Sequence, residues 1–241
     1  MLNKNEVKYI QSLCHKKQRQ ESGLFIAEGV KLVNELMRSK LTIKKLYATE
    51  DWETEVSCKV ETVRVTMDEF KKISTLQTPN KVLALVEEPI LPKLKIAKNS
   101  WVLALDDIQD PGNMGTLIRI ADWFGINTIV ASKNSVDCFN NKVVQSTMGS
   151  IGRVKVHYVD LPDFLVVADL PVFGALLEGK SVFNTTIPNG GILLIGNESK
   201  GIHPNCRKLI TNPISIPRIG GAESLNAGVA AGILLSYLTK K

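Results

Sequence analysis

The sequence predicts an α/β protein, with a mainly parallel C-terminal sheet that has helices on both faces and a small α/β domain before it. Strand-like and helix-like segments alternate along the chain, which favours strands joined by helical crossovers. Continuous apolar runs such as 101–105 and 191–195 are typical of strands buried on both faces. The apolar, Ala/Gly-rich segment 225–238 predicts a closing helix.

The first ninety residues predict the small domain. In the polar segment 3–20, Val7, Ile10 and Leu13 recur at helical spacing, which predicts one amphipathic helix with Lys and Arg outside. Further helices are predicted at 30–37 and 68–73, and strands at 25–27, 43–47, 60–65 and 81–86. Pro89 and Pro92 interrupt the pattern that follows. The predicted division is therefore a domain at 1–90, a linker at 91–99 and a domain at 100–241.

The second domain repeats the alternation of strand and helix. Its predicted strands are 101–105, 128–131, 154–159, 172–177, 191–195 and 213–216, and its predicted helices are 116–124, 140–147 and 225–238. Asn113 or Thr116 is expected to cap the first of these helices, and Ser224 or Asn226 the last.

Charge and composition restrict the class of protein. The chain is 44% hydrophobic with a net charge of +6, which is ordinary globular usage. Residues 1–100 hold 18 Lys+Arg against 13 Asp+Glu, whereas residues 101–241 hold 12 against 11. A basic N-terminal segment is typical of an RNA-binding module, but also of a Lys-rich solvated surface. No apolar run is long enough for a bilayer and the first residues lack a signal sequence, so a cytoplasmic protein without a membrane partner is expected.

Metal chemistry is not expected. Four cysteines, Cys14, Cys58, Cys138 and Cys206, are widely scattered, and the three histidines form no ligand cluster with them. Free thiols in a reducing compartment are the expected state. Motifs for a Rossmann cofactor site, a P-loop and an α/β-hydrolase elbow are also missing from the sequence.

Three Gly/Asn-rich segments follow predicted strands, at the position where open α/β sheets bind ligands. They are 110–119 (DPGNMGTLIR), 195–202 (IGNESKGI) and 216–226 (IPRIGGAESLN). In this order they resemble the motifs D-P-G-N-x-G-x-x-x-R, G-N-E-x-x-G and I-P-x-x-G-x-x-E-S-L-N of the SpoU/TrmH family of RNA ribose 2′-O-methyltransferases, in the SPOUT superfamily. The resemblance covers about 101–241, and residues 24–38 are similar to the start of the substrate-binding domain that often precedes it.

The resemblance implies a deep trefoil knot, a homodimer with the active site near its interface, and methylation of a ribose 2′-hydroxyl in structured RNA. Ribosomal RNA is favoured over transfer RNA, and the implied cofactor is S-adenosylmethionine. By motif match, the expected catalytic residues are Arg119, Asn113, Glu198, Ser224 and Asn226. The expected cofactor-binding residues are Gly196, Asn197, Ile216, Leu225 and Asn226.

Arg119 is expected to position the target phosphate and the developing oxyanion, because a guanidinium is not deprotonated in proteins. The basic residues expected to attract RNA phosphates are Lys4, Lys8, Lys16, Lys17, Arg19 and Arg218. Two alternatives stay open at this point. One is an inactive RNA-binding protein of the same fold, and the other is a relative that methylates transfer RNA on ribose or base.

Overall fold

The computed structural model describes residues 2–54, 56 and 59–240. Its helices are α1 (Lys4–Ser12), α2 (Lys16–Ser22), α3 (Val30–Met37), α4 (Met67–Ile73), α5 (Pro111–Trp123), α6 (Asn141–Thr147), α7 (Leu161–Val167), α8 (Pro204–Arg207) and α9 (Ala227–Leu238). Its strands are β1 (Leu24–Glu28), β2 (Ile43–Thr49), β3 (Thr62–Val65), β4 (Val82–Glu87), β5 (Trp101–Leu105), β6 (Thr128–Ser132), β7 (Lys155–Val159), β8 (Val172–Ser181), β9 (Gly191–Ile195) and β10 (Asn212–Ser215).

The chain divides into two compact units that do not follow a single cut in the sequence. One unit is Met1–Ile90 together with Asp137–Arg153, and the other is Leu91–Val136 together with Val154–Lys241. Helix α6 therefore belongs with the first ninety residues. The domains 1–90 and 100–241 and the linker 91–99 stay predictions.

A four-stranded sheet forms the centre of the first unit, in the order β1-β4-β2-β3. Strand β4 runs antiparallel to β1 and β2, and β2 runs parallel to β3. Fully buried side chains such as Ile10, Phe70 and Leu83 pack on this sheet. Their burial fixes α1 and α4 beside each other on it.

The prediction of one helix over 3–20 was wrong, because two helices occupy this segment. Leu13 ends α1 as its C-cap, His15 is extended, and α2 begins at Lys16. Gly23 then ends α2 in the left-handed region at φ 66°, where glycine has no steric penalty. The break turns α2 to a new direction, so its basic residues do not all share the outer face of α1.

The second unit contains a six-stranded sheet among its described residues, in the order β10-β8-β9-β5-β6-β7. Every pairing in it is parallel. Helices flank the sheet, and the predicted α/β fold class is confirmed; the trefoil knot stays a prediction. The short helices α7 and α8 were not predicted; a proline is the second residue of α7 and the first residue of α8.

Membrane crossing would need a helix both longer and more apolar than any that the described residues form. In the same part of the chain, no group of three or more His, Cys, Asp or Glu side chains is placed to hold a metal ion. Cys14, Cys138 and Cys206 are not joined to one another by disulfides. Cys58, the fourth cysteine, lies outside the described residues.

Candidate functional site

The three motif segments all lie in the second unit and follow strands of its parallel sheet. Residues 106–110 leave β5, residues 196–202 leave the neighbouring β9, and residues 216–226 leave β10. Because the strands are parallel, their carboxyl ends lie along one edge of the sheet. The motif segments therefore converge on that edge.

Helix α5 begins five residues earlier than predicted. Its N-cap is Asp110, whose Oδ1 accepts a hydrogen bond of 2.8 Å from the Asn113 amide N–H, and Pro111 occupies the first helical position. The expectation that Asn113 or Thr116 caps this helix was wrong. Asp110 already accepts a free N–H of the first turn, which leaves the Asn113 side chain available for other contacts.

Asn113 joins the three motifs through its side chain. Its Nδ2 donates to Glu198 Oε1 at 2.5 Å, and its Oδ1 accepts from Asn226 Nδ2 at 2.7 Å. Asn226 is also the N-cap of α9, as one of the two expected caps, since its Oδ1 accepts from the amides of Gly228 and Val229. The cap fixes the orientation of Asn226, so the chain Asn226–Asn113–Glu198 holds the Glu198 carboxylate in a defined position.

Asn197 closes the 196–202 loop on itself. Its Nδ2 donates to the Asp107 carbonyl at 2.8 Å, and its Oδ1 accepts from the amides of Ser199 and Lys200 at 2.9 and 3.0 Å. A short antiparallel bridge also pairs Asn197 with Gly201. These bonds commit the Asn197 side chain to the loop that carries Glu198.

Gly196 shows how tightly this loop is folded. A Cβ at Gly196 would lie 2.4 Å from the carbonyl carbon of Gly201, so no larger residue fits without moving the backbone. The two aspartates before the first motif, which no motif identifies, both support the loop. Asp106 is buried and accepts from the His203 amide at 2.7 Å, and Asp107 adopts φ 55° and pairs with Lys200.

The buried Asp106 also affects Cys206 on α8. Burial, followed by the negative charge of Asp106, raises the pKa of the Cys206 thiol to about 12. A thiol with this pKa stays protonated at neutral pH and is a poor nucleophile. Cys206 is therefore part of the packing below the motif loops.

Arg119 and Ser224 are not joined to this chain of hydrogen bonds. Arg119 is exposed on α5, one turn beyond Thr116, and its guanidinium makes no hydrogen bond or ion pair within the described residues. A Cβ at Gly228 would lie 2.8 Å from Thr116 Cγ2, so α5 and α9 touch just beside Arg119. Ser224 is exposed in the 216–226 segment and has no hydrogen-bond partner in the described part of the chain.

Most backbone groups of the segment 217–225 are not used by the fold. Its amides and carbonyls make no hydrogen bond to other backbone groups of the described residues. Leu225 is 47% exposed, and Ile216 is partly buried at the start of the segment. Arg218 Nη1 donates to the Ala222 carbonyl at 3.2 Å, which bends the segment. Apolar surface therefore lies beside free donors and acceptors.

The residues expected to attract RNA lie in different environments. Lys4, Lys8, Lys16 and Lys17 are exposed in the first unit, and Arg218 is exposed in the second. Arg19 is 2% exposed and forms an ion pair with Asp137, so its predicted contact with RNA phosphate was wrong. A guanidinium committed to a carboxylate inside the protein has no face left for solvent or phosphate.

Comparison with known families assigns both parts of the chain. The model of the SpoU rRNA Methylase family matches residues 100–236. The model of the MRM3-like substrate binding domain matches residues 4–84. The first match contains the Asn226–Asn113–Glu198 chain and Arg119.

Individual relatives extend over nearly the full length. The Bacillus subtilis 23S rRNA (guanosine(2553)-2′-O)-methyltransferase RlmP is 32% identical, covering 97% of this chain and 95% of that protein. A TrmH-family structure from Porphyromonas gingivalis superposes with a TM-score of 0.88 at 35% identity, covering 99% of this chain and 98% of that one. An AdoMet-bound rRNA methyltransferase from Sinorhizobium meliloti superposes with a TM-score of 0.87 at 28% identity, covering 99% and 95%.

Proposed function

This chain belongs to the SpoU rRNA methylase family, and we propose from that premise that it methylates a ribose 2′-hydroxyl of ribosomal RNA with S-adenosylmethionine as donor. The observation that carries the proposal is the hydrogen-bonded chain Asn226–Asn113–Glu198 at the carboxyl edge of the parallel sheet. Full-length similarity to a 23S rRNA 2′-O-methyltransferase supports the reaction type and the class of RNA.

The 216–226 segment and the 196–202 loop fit S-adenosylmethionine. A nucleoside needs apolar contact and backbone hydrogen bonds. The free backbone groups of 217–225 and the exposed side chain of Leu225 offer both. Gly196, Ile216, Leu225 and Asn226 would hold it, and Asn197 would act by shaping the loop. When bound, S-adenosylmethionine supplies a methyl group that is already activated by its sulfonium.

Given an activated donor, the protein has two tasks, alignment and removal of the hydroxyl proton. Alignment of two reactants supplies about 7–11 kcal/mol of a barrier, and general base catalysis adds typically about 10²–10⁴-fold. Arg119 would hold the target phosphate and the 2′-oxygen, since its guanidinium is exposed and unpaired among the described residues. Alignment by Arg119 is then the larger contribution.

Removal of the proton falls to Glu198. Of the five motif side chains, Glu198 is the carboxylate, whereas Asn113, Asn226 and Ser224 are neutral and Arg119 is a cation. The side-chain amide of Asn113 holds one carboxylate oxygen at 2.5 Å, and the other oxygen, which has no hydrogen-bond partner among the described residues, would accept the hydroxyl proton. Ser224 would complete the pocket.

The rest of the assembly follows from the same premise. We propose a homodimer that buries the exposed side chains of Trp123 on α5 and Val229 on α9, which are 83% and 50% exposed. Lys4, Lys8, Lys16, Lys17 and Arg218 would supply salt-dependent attraction for RNA. Because ribosomal RNA is the proposed substrate, the enzyme would act in the cytoplasm.

The test is methyl transfer to ribosomal RNA with a labelled donor, followed by mapping of 2′-O-methyl positions. We expect one 2′-O-methyl site, and Arg119→Lys should lower kcat by at least about tenfold because an ammonium cannot bind bidentately. Near-normal turnover of Arg119→Lys would contradict positioning by the guanidinium. Methylation of a base, or of transfer RNA alone, would contradict the proposed reaction and indicate the activity of a related methyltransferase. Binding of RNA without methyl transfer would indicate a catalytically inactive member of the family.

A further inference from the structure

A groove on the first unit lies between α1, β3 and α4, away from the three motif segments in sequence. Its volume is about 850 Å³, within the range of about 300–1,000 Å³ typical of pockets for small organic ligands. A group the size of a nucleotide therefore fits. The lining residues are Leu2, Lys4, Val7, Lys8, Gln11, Glu50, Arg64, Val65, Thr66, Asp68, Glu69 and Lys72.

Three acidic residues line the groove, and one of them, Asp68, is paired with a cation. Glu69 accepts hydrogen bonds from the amides of Leu2 and Thr66, which hold the pKa of its carboxyl below the usual range. Asp68 pairs at 3.1 Å with Lys71, which is not part of the lining. Glu50 remains as an unpaired acid among the described lining residues.

The basic residues of the groove are free in comparison. The ammonium groups of Lys4, Lys8 and Lys72 make no ion pair or hydrogen bond to the described residues. Arg64 donates to the carbonyls of Thr49 and Trp52 at 2.9 and 3.0 Å; carbonyls do not cancel its charge. The lining therefore holds four basic side chains against three acidic ones, and its lysines are contributed by two different helices.

The floor of the same groove is apolar. Val65 is 2% exposed, while Leu2 and Val7 are partly buried and pack against the core of the unit. A duplex presents phosphates but keeps its bases stacked inside, so it would use the lysines and leave this floor unused. An unpaired nucleotide presents both a phosphate and an accessible base.

We propose that this groove binds a single-stranded segment of the RNA substrate, with phosphates on Lys4, Lys8 and Lys72 and a base against Leu2 and Val7. The inference rests on the proposed RNA substrate, and it adds Lys72 and the groove to the contacts expected from the sequence. Lys16 and Lys17, on α2, are not part of this groove.

Neighbouring lysines on α4 provide a matched pair of variants. Lys72 lines the groove, whereas Lys71 does not line it and pairs with the lining residue Asp68. The full-length protein is titrated with a fluorescein-labelled 12-nucleotide single-stranded RNA, with anisotropy as readout, between 50 and 200 mM KCl. Each phosphate contact on a single strand contributes a slope of about 0.7 in log affinity against log salt, so one contact corresponds to about a 2.6-fold change over this range.

We expect Lys72→Ala to weaken RNA binding at 50 mM KCl by about threefold or more. The loss of RNA affinity between 50 and 200 mM KCl should be about 2.6-fold smaller than in the wild type. The triple variant with Lys4→Ala and Lys8→Ala should reduce that loss by about 18-fold, and Lys72→Arg should restore the wild-type slope. Lys71→Ala should bind within about twofold of wild type, and circular dichroism melts confirm that each variant is folded.

Equal effects of Lys71→Ala and Lys72→Ala on RNA affinity would overturn the proposal, because they would indicate attraction by overall positive charge and not binding in the groove. Tighter binding of a duplex of the same sequence than of the single strand would overturn it as well. Methyl transfer is measured separately: Lys72→Ala should raise the KM for RNA and leave kcat unchanged. Absence of methyl transfer by the wild type would refute the proposed function, while the Lys71 and Lys72 comparison would still decide whether the groove binds RNA.

Discussion

Arg19 offers a direct test of whether a basic residue near the N-terminus serves RNA or the fold. Its Nε and Nη2 donate to Asp137 Oδ2 at 3.2 and 2.5 Å, and its Nη1 donates to the carbonyls of Leu13 and Cys14 at 2.9 and 3.0 Å. The guanidinium therefore joins the end of α1 to the 137–153 segment within the first unit. Arg19→Ala would remove this link and leave Asp137 without its cation.

The expected loss is large. Removing one partner of a buried ion pair typically costs about 3–5 kcal/mol. Asp137 is 16% exposed, so it recovers some hydration, and we expect the lower end, about 3 kcal/mol. For a domain of this size that loss lowers the midpoint of thermal unfolding by about 10 °C or more.

Urea unfolding followed by circular dichroism measures the change, with Lys17→Ala as the control. Lys17 lies on the same helix, and its side chain is 88% exposed, so its removal should change the free energy of unfolding by less than about 0.5 kcal/mol. RNA affinity of folded Arg19→Ala should match wild type. Unchanged stability together with weaker RNA binding would refute the structural role of Arg19.

Three further changes test other contacts. Asn197→Ala should lower the free energy of unfolding by about 1–3 kcal/mol and weaken S-adenosylmethionine binding in calorimetry. Asn205→Ala is the control. If Asn197→Ala lost binding but kept its full stability, Asn197 would contact the cofactor directly. Burial, then the charge of Asp137, raises the pKa of Glu88 to about 7, so the folded state binds the proton more tightly. The free energy of unfolding should fall as pH rises from about 4.5 to 7, and Glu88→Gln should flatten this slope; an equal slope in both proteins would contradict it. Trp123→Glu should yield monomers in light scattering, whereas Val167→Glu, at a site 77% exposed on α7, should not; a dimeric Trp123→Glu would exclude that interface.

The apolar runs alone were enough to place the central strands. The predicted strands 101–105 and 191–195 coincide with β5 and β9, and the predicted helix 30–37 coincides with α3. Strands covered on both faces are apolar at every position, so their ends are visible where polar residues begin. The order of such strands with helices between them also indicated the parallel sheet.

Element starts were harder to predict where glycine and proline dominate. The segment 110–115 has the composition of a turn, yet it forms the N-cap and first turn of α5. Asp110 and Pro111 are favourable at these two positions, but the same residues are equally common in turns. The decision depends on whether the next residues can be buried, which Met114 is.

Residue types and motif order determined which side chains matter in this protein, and the tertiary structure decided what each of them contacts. Asn113, Glu198 and Asn226 are far apart in sequence and meet because parallel strands end at one edge of the sheet. Arg19 and Asp137 are separated by 118 positions, and their pairing turned a predicted RNA contact into a buried ion pair. Hydrophobic periodicity indicates which positions of a helix or strand are buried. The partner of a polar side chain depends instead on which chain segments the fold brings together.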